Sequence, residues 1–465
     1  MKNLRMLSAL LVFVFLLGIA GCDKKEPSDG SENSTYISSS EGESSSKTES
    51  TSSAEETPSP ETSGSTPEKP EYTPKHPTAA VINGVEYPID ATTELSLYTV
   101  GVQEISGVPL TEEDVYEIGR LVNLTKLEIP LSMITDIEPL TNLTKLTYLD
   151  LNDNYDITDI TPISKLTELE YLDLGENHNI KDLSPLSGLI KLKHLNLSWN
   201  EITDLSPLAD LTELEWLDLH NCKVSDLTPL KGMTKLTYLM LHDNNVRDLS
   251  PLKELTHLQH LNVVRNKVTD LSPLSGMNEL EILSLHGNNV KSLEPLRGLK
   301  KLSDLTFGSN SISDISPLVT LTLLKDLWLS ENPITDWSPL AEMKNLNRLA
   351  LSQVKIDDLT AISKLTNLEY LYLDNCELTD IAPLAKLTDL TQLSLSGNNI
   401  TDISPIVKLT KLDSLSLSGN PIADLTPLMS MKSLSFLYLN WGAVGYPSYE
   451  DVKPLMEALP DCEIQ

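Results

Sequence analysis

From residue 124 onward the chain repeats one alternation of apolar and polar positions. Leu-x-x-Leu-x-Leu begins at Leu124, Leu146, Leu169, Leu192, Leu214, Leu236, Leu258 and Leu280. It continues at Leu302, Leu324, Leu346, Leu368, Leu390, Leu412 and Leu434. Twelve of the fourteen intervals are 22 residues and two are 23, and the extra residue falls before Ile157 and before Ile180. An insertion at one fixed place reads as a loop on a regular solenoid. Within a unit, Leu195 and Leu197 alternate with polar neighbours, which predicts a short strand with one apolar face. Strands from successive units then stack into one parallel sheet.

Two polar columns accompany the leucines. Three residues after the strand comes Asn154, and the column continues through Asn177, Asn200, Asn244, Asn266, Asn288, Asn310, Asn332, Asn398 and Asn420. A buried amide can donate to and accept from a turn's backbone, so these side chains are expected to form a ladder along the coil. Ser132, Cys222, Val354 and Cys376 fill the column elsewhere. Cys222 and Cys376 stand seven coils apart, about 33 Å at strand spacing, too far to bond. On the return path, Asp-Leu-Ser-Pro-Leu predicts a helical turn with Ser or Thr as its N-cap and Pro at its first position. Asp recurs there in 13 of 14 coils, from Asp136 to Asp424, with Ser292 the exception. The Asp is expected to accept backbone N–H groups. One carboxylate per coil is too few for a calcium column.

The unit Leu-Thr-x-Leu-x-x-Leu-x-Leu-x-x-Asn-x-Ile-Thr-Asp-Leu-Ser-Pro-Leu, nearly undiluted from Leu409 to Leu428, resembles the leucine-rich repeats of internalins and related bacterial surface proteins. The resemblance covers about residues 121–440. It implies an α/β fold: a right-handed leucine-rich-repeat solenoid with a parallel concave β-sheet and short 3-10 or helical turns on the convex side. It also implies binding of a macromolecule through the concave face.

Both ends are expected to be capped, over 79–123 and 441–465, with the repeats at 124–440. Val81 to Asp90 predicts two short strands around Asn83-Gly84. Thr111 to Asp114 predicts a capping box opening a helix with Val115, Ile118 and Leu121 inward. Ser448 to Leu459 predicts a second helix, and Cys462 to Ile464 a last strand.

Before the caps lie two segments of different composition. Lys2 and Arg5 precede an apolar run, Leu7 to Leu17, too short to span a bilayer comfortably. Ile19-Ala20-Gly21-Cys22 resembles the lipobox of bacterial lipoproteins. That resemblance implies a signal peptide over 1–21 and diacylglycerol on Cys22, with the protein held at the outer face of the bacterial cell membrane. Residues 22–78 are nearly all Ser, Thr, Glu, Pro, Gly and Lys, with twelve acids and five bases from Asp23 to Lys75. Such a segment cannot bury enough apolar surface to order, so a stalk is expected.

The whole chain of 465 residues carries a net charge of −32, which argues against nucleic acid as a partner. No Gly-rich phosphate loop, His-Glu-x-x-His, Cys-x-x-Cys or nucleophile elbow is present, so neither an enzyme nor a cofactor is expected.

Where inward positions are fixed by packing, function falls to the variable strand positions. Six consecutive coils carry Tyr148, Tyr171, His194, Trp216, Tyr238 and His260 in one column. Beside them stand Asp150, Asp173 and Asp218, and a third column adds His220, His242 and His286. Late coils fade to serine at 394, 396, 414, 416 and 418, with a smaller set of Trp328, Tyr370 and Tyr372. Tyr and Trp anchor interfaces, so the first-half columns are read as the binding patch of a monomeric protein for a protein ligand. Tyr in strands also half-buries between neighbours for structural reasons alone. Sugar or wall-polymer stacking on the same ladder, and a purely structural surface protein, are the competing readings. A metal held by His220, His242 and Asp218 is weighed against ordinary solvated histidines, which are commoner. Five concave histidines predict binding that changes below about pH 6.5.

Overall fold

A computed structural model of the chain describes residues 72–74, 76–100, 105–107, 109–440 and 448–465. Cys22, the signal segment and the stalk up to residue 71 lie outside the described residues. The N-terminal cap opens with β1 (Ala79–Ile82) and β2 (Val85–Pro88), an antiparallel hairpin. Asn83 and Gly84 both take positive φ at its turn, 47° and 78°, as a two-residue hairpin requires. β3 (Glu94–Ser96) follows, then a second hairpin of β4 (Tyr98–Val100) and β5 (Ile105–Gly107). Helix α1 (Glu112–Gly119) starts on a capping box between Thr111 and Asp114 and buries Val115 and Ile118, with Leu121 buried just beyond it.

From there each coil contributes one strand, β6 (Lys126–Glu128) to β20 (Phe436–Tyr438), and β21 (Glu463–Ile464) closes the series after α2 (Tyr449–Ala458). Together with β3 they form one parallel sheet of 17 strands, from β3–β6 at one end to β20–β21 at the other. Among the described residues no pairing joins β21 to β3, so the solenoid is open. The register steps by 22 residues, as Trp216 to Tyr238, and by 23 from Tyr148 to Tyr171 and from Tyr171 to His194. The middle residue of each strand from β6 to β20 is a fully buried Leu; Leu149, Leu195 and Leu261 are examples. The sheet begins one strand earlier than the repeat count predicts. β3 carries the same alternation, but Leu95 lies outside the 22-residue spacing.

Fourteen 3-10 turns, from Glu138–Asn142 to Thr426–Ser430, form the layer behind the sheet. In ten of the fourteen, Ser or Thr is the first residue of the turn and not the N-cap. Leu205, the cap residue before Ser206, makes no side-chain cap bond. The capping is done by the recurrent Asp: Asp204 Oδ1 accepts the Ser206 N–H at 2.8 Å, and Asp336 does the same for Ser338 at 2.9 Å. Ser292 takes this role with a longer bond, 3.3 Å to the Glu294 N–H.

The buried asparagines ladder through backbone, not side chain to side chain. Asn200 Nδ2 donates to Leu197 O at 3.1 Å and to Leu174 O of the preceding coil at 2.8 Å. Its Oδ1 accepts the Ile180 N–H at 3.2 Å. Cys222 and Cys376 give the preceding coil weaker thiol bonds, 3.4 Å to Leu197 O and 3.2 Å to Leu351 O. Burial pushes both thiols up to about 12, so they stay protonated and inert. With Cys462 they are free cysteines.

Tyr72, within the expected stalk, packs on the N-terminal cap. The Tyr72 ring stacks on Tyr116 of α1 at 5.2 Å, and its hydroxyl donates to Glu117. Glu117 is fully buried, accepts the Val81 N–H at 3.0 Å and pairs with Arg120 at 2.6 Å. Arg120 reaches on to the carbonyls of His76 and Ala79.

Candidate functional site: an aromatic and acidic sheet face

Parallel, in-register pairing puts the first residues of six strands in one line. They head β7 (Tyr148–Asp150), β8 (Tyr171–Asp173), β9 (His194–Asn196), β10 (Trp216–Asp218), β11 (Tyr238–Met240) and β12 (His260–Asn262). Neighbouring strands lie about 4.8 Å apart, close to the separation at which aromatic rings stack. The rings do stack. Centroids are 4.0 Å apart from Tyr148 to Tyr171 and 4.2 Å from Tyr171 to His194. They are 3.9 Å from His194 to Trp216 and 5.2 Å from Trp216 to Tyr238, and all four pairs lie within 12° of parallel. Tyr238 and His260 are 4.5 Å apart and tilted by 43°. Lys126 covers the first ring, its Nζ 4.8 Å from the Tyr148 centroid, and pairs with Glu128 at 2.9 Å. The faces of the inner rings are therefore occupied by one another, and their edges meet solvent.

The acidic column serves its own coils first. Asp150, Asp173 and Asp218 accept the N–H groups of Asn152, Gly175 and His220 at 3.0, 2.9 and 2.9 Å. Asn196 and Asn262 do the same for Ser198 and Val264, both at 3.0 Å. Of the eleven residues expected on this face, nine are half-buried on it. Asp218 and His242 are only 7 % and 8 % exposed and lie beneath it. Burial, with the like charges of Asp173 and Glu128, raises the Asp150 carboxyl to about 6. Burial also raises that of Asp173.

Burial inside the ring row lowers His194 and His260 to about 4, and burial in the third column lowers His286 as well. The expectation that these three gain charge below pH 6.5 is corrected: a ring between neighbouring side chains cannot solvate an added proton. His220 Nδ1 lies 2.8 Å from Asp218 Oδ1, and His242 Nδ1 lies 2.9 Å from Asp243 Oδ2. Each imidazole thus serves a carboxylate beside it. Among the described residues no three His, Cys, Asp or Glu gather to hold a metal.

A second ring row, which joins Tyr155, His178 and Trp199 from outside the predicted columns to His220 and His242 of the third, borders the strip. Tyr155 stacks on His178 at 5.1 Å, Trp199 meets His178 and His220 edge-on at 6.1 and 6.3 Å, and His220 stacks on His242 at 4.2 Å. Tyr155 and Trp199 are 49 % and 44 % exposed. The sequence held a signal for this row. The two 23-residue units carry Tyr155 and His178 at their insertions, between the ladder Asn and the next Ile. Trp199 sits at a turn position with φ 53°, where strand periodicity does not look.

Late coils are also less uniform than their serines imply. Arg348 lies over the Tyr370 ring at 4.6 Å and pairs with Asp326 at 3.1 Å. Burial beside Asp304 lifts the Asp326 carboxyl to about 7. Trp328 and Tyr372 stack at 5.7 Å, two strands apart.

Comparison with known proteins identifies the class. A leucine-rich repeat region model matches residues 153–379, and a second model, of two leucine-rich repeats, matches 366–408. The chain belongs to the leucine-rich-repeat proteins. Within them it is similar in structure to the Listeria monocytogenes internalin inlF, at 38% identity over 60% of this chain and 83% of that one, with a TM-score of 0.58. A leucine-rich-repeat protein of Leptospira interrogans matches at 25% identity over 77% and 92% of the two chains, with a TM-score of 0.66. The functional domain of Listeria monocytogenes InlJ matches at 27% over 71% and 69%, with a TM-score of 0.58. No curated protein matches the chain in sequence. The matched families are interaction modules and not catalytic ones.

Proposed function

We propose that this is a lipid-anchored bacterial surface protein that binds a protein ligand through the exposed sheet face of β7 to β12. The observation that carries the reading is the in-register row of six rings, confined to one half of the sheet and bordered by a second row. A solenoid needs none of these rings: Gln392 and Ser414 occupy the same column in later coils. The stacking also favours one of the two ligand classes. A sugar packs on an open ring face, whereas the inner rings offer only edges. Edges and hydroxyls beside carboxylates suit the mixed apolar and polar surface of a protein.

The test is a screen of the full chain against protein and glycan arrays, repeated with Tyr171→Ser, Trp216→Ser and Tyr238→Ser combined. A protein hit that loses at least tenfold in affinity while circular dichroism is unchanged supports the patch. A hit that survives the triple change, or hits confined to glycans, removes it. The anchor is tested separately. Cys22→Ala should release the protein to the medium, and continued retention by the membrane would contradict lipidation at Cys22.

A further inference from the structure

The inner rings of the first row are closed by stacking, and the second row supplies an open face. His178 stacks on Tyr155 of the coil before it, and His220 stacks on His242 of the coil after it. Both stacks run along the solenoid, so the two imidazole planes stand across its axis. Trp199 lies in the coil between His178 and His220, its plane turned by 88° to the first and 87° to the second. It therefore meets both imidazoles with its edges, and neither covers its broad faces. His220 is held in turn by Asp218, Nδ1 to Oδ1 at 2.8 Å. With 44 % of its surface exposed, Trp199 presents a flat aromatic face to solvent at the rim of the sheet.

The backbone gives a second, independent observation. Trp199 has φ 53°, in the left-handed region that disfavours a large side chain. The same turn position recurs in every coil from Asp153 to Gly419, always with positive φ. The twelve other coils fill it with Asp, Glu, Asn, Arg, Ser, Gln or Gly. The large ring at 199 is thus exposed, strained and dispensable to the fold, and such outliers gather at binding sites. Glu176 holds the same turn position one coil before Trp199, and Asn221 one coil after, each at about one strand spacing, ~4.8 Å.

We infer that Trp199 is the stacking platform of a saccharide site that takes an uncharged pyranose unit of a glycan. The C–H groups on one face of a pyranose pack on the electron-rich face of an indole. Its hydroxyls project from the edge of that stack, where the Glu176 carboxylate accepts and the Asn221 carboxamide both donates and accepts. Glu176, on a chain of net charge −32, repels an anionic sugar. The site does not rest on the protein-binding reading of the ring row. A protein seated on that row would also cover Trp199, so free oligosaccharides are the probe that isolates the rim.

The fold itself shows how to remove the ring. Asn221 and Asn375 occupy the same turn position with φ 50° and 56°, so Trp199→Asn keeps the turn and eases its backbone. Trp199→Phe keeps an aromatic face. The full chain and both variants are titrated calorimetrically with cellohexaose, mannohexaose and N-acetylchitohexaose, and with hexagalacturonate as the anionic counterpart. The ring-row variant, Tyr171→Ser with Trp216→Ser and Tyr238→Ser, is titrated beside them.

The expected result is binding of at least one neutral hexasaccharide, weakened at least tenfold by Trp199→Asn, less than threefold by Trp199→Phe and less than twofold by the ring-row variant. The urea midpoint of Trp199→Asn should be no lower than that of the parent chain; a lower midpoint would assign the ring to the fold and overturn the inference. So would the absence of binding by every neutral hexasaccharide at millimolar concentration, binding that survives Trp199→Asn, or an equal loss in the ring-row variant. Binding of hexagalacturonate as tight as that of the neutral sugars would remove the uncharged ligand. A protein hit lost in the ring-row variant, with no saccharide bound, would leave the protein-binding surface standing and remove only the saccharide site. Saccharide binding without a protein hit would do the reverse.

Discussion

Asn200 ties two coils together from one side chain, with donors to Leu197 and Leu174 and an acceptor for Ile180. Asn200→Ala would strand buried carbonyls and one N–H, and should cost about 2–3 kcal/mol in urea denaturation. Cys222 fills the same column with weaker bonds. Cys222→Asn should raise stability by about 1 kcal/mol, and a loss would mean that this coil has no room for the amide. The column was legible in the sequence because a polar residue at a fixed place among leucines must be bonded to be buried. The titration of the ring row was not, because the burial of His194 comes from Tyr171 and Trp216, both more than 20 residues away. The sign of that titration can be checked. His194 and His260 are held neutral, at about 4 against an ordinary 6.5. Their stabilising contribution is complete above pH 6.5 and is lost as pH falls toward 4. Asp150, raised from 3.8 to about 6, acts in the opposite sense: its cost is full above pH 6 and relieved below. Asp150→Asn should therefore raise the urea midpoint more at pH 7.5 than at pH 4.5. His194→Phe with His260→Phe should flatten the loss between pH 6.5 and 4.5.

The 3-10 turn is the element whose chemistry repeats most faithfully, and its one irregular copy is informative. In thirteen turns Pro stands at the first or second position, but the turn Ile362–Lys364 has no Pro and starts late, after Ala361. Ala361 already has φ −64°, the value that Pro imposes. Ala361→Pro should stabilise by about 0.5–1 kcal/mol, chiefly by restricting the unfolded chain. A fall in melting temperature would show that the Ala361 N–H has a role. The N-terminal cap holds the opposite kind of feature. Glu117 is buried, and Tyr72, Val81 and Arg120 share its carboxylate. Glu117→Ala would leave Arg120 without its partner and should cost about 3–5 kcal/mol, released as early melting of α1 and its hairpin in hydrogen exchange. The helix and hairpin of this cap were legible from Thr111-x-x-Asp114 and Asn83-Gly84, since both signals are local. The docking of Tyr72 was not, because composition places that residue in a Ser- and Thr-rich segment and only its contact with α1 takes it out.

At the scale of the whole molecule, the acidity divides into parts with different work. Thirteen aspartates cap 3-10 turns, and others pair with lysines across coils. What remains on the first-half sheet face stands between two ring rows. The two rows also differ in how they could be read. Tyr148 to His260 follow the strand period, so counting finds them. Tyr155, His178 and Trp199 sit in turns, where an insertion is the only sequence mark. Both halves of the solenoid share one architecture, so the asymmetry of side chains is the feature that selects a binding surface. The most direct test is a hydroxyl-radical footprint of the full chain, free and bound to a protein found on the array. Protection of Tyr171, Trp199, Trp216 and Tyr238, with Trp328 and Tyr372 unchanged, is the predicted result. Protection confined to Trp328 and Tyr372, or to residues of the 3-10 layer, would contradict the account.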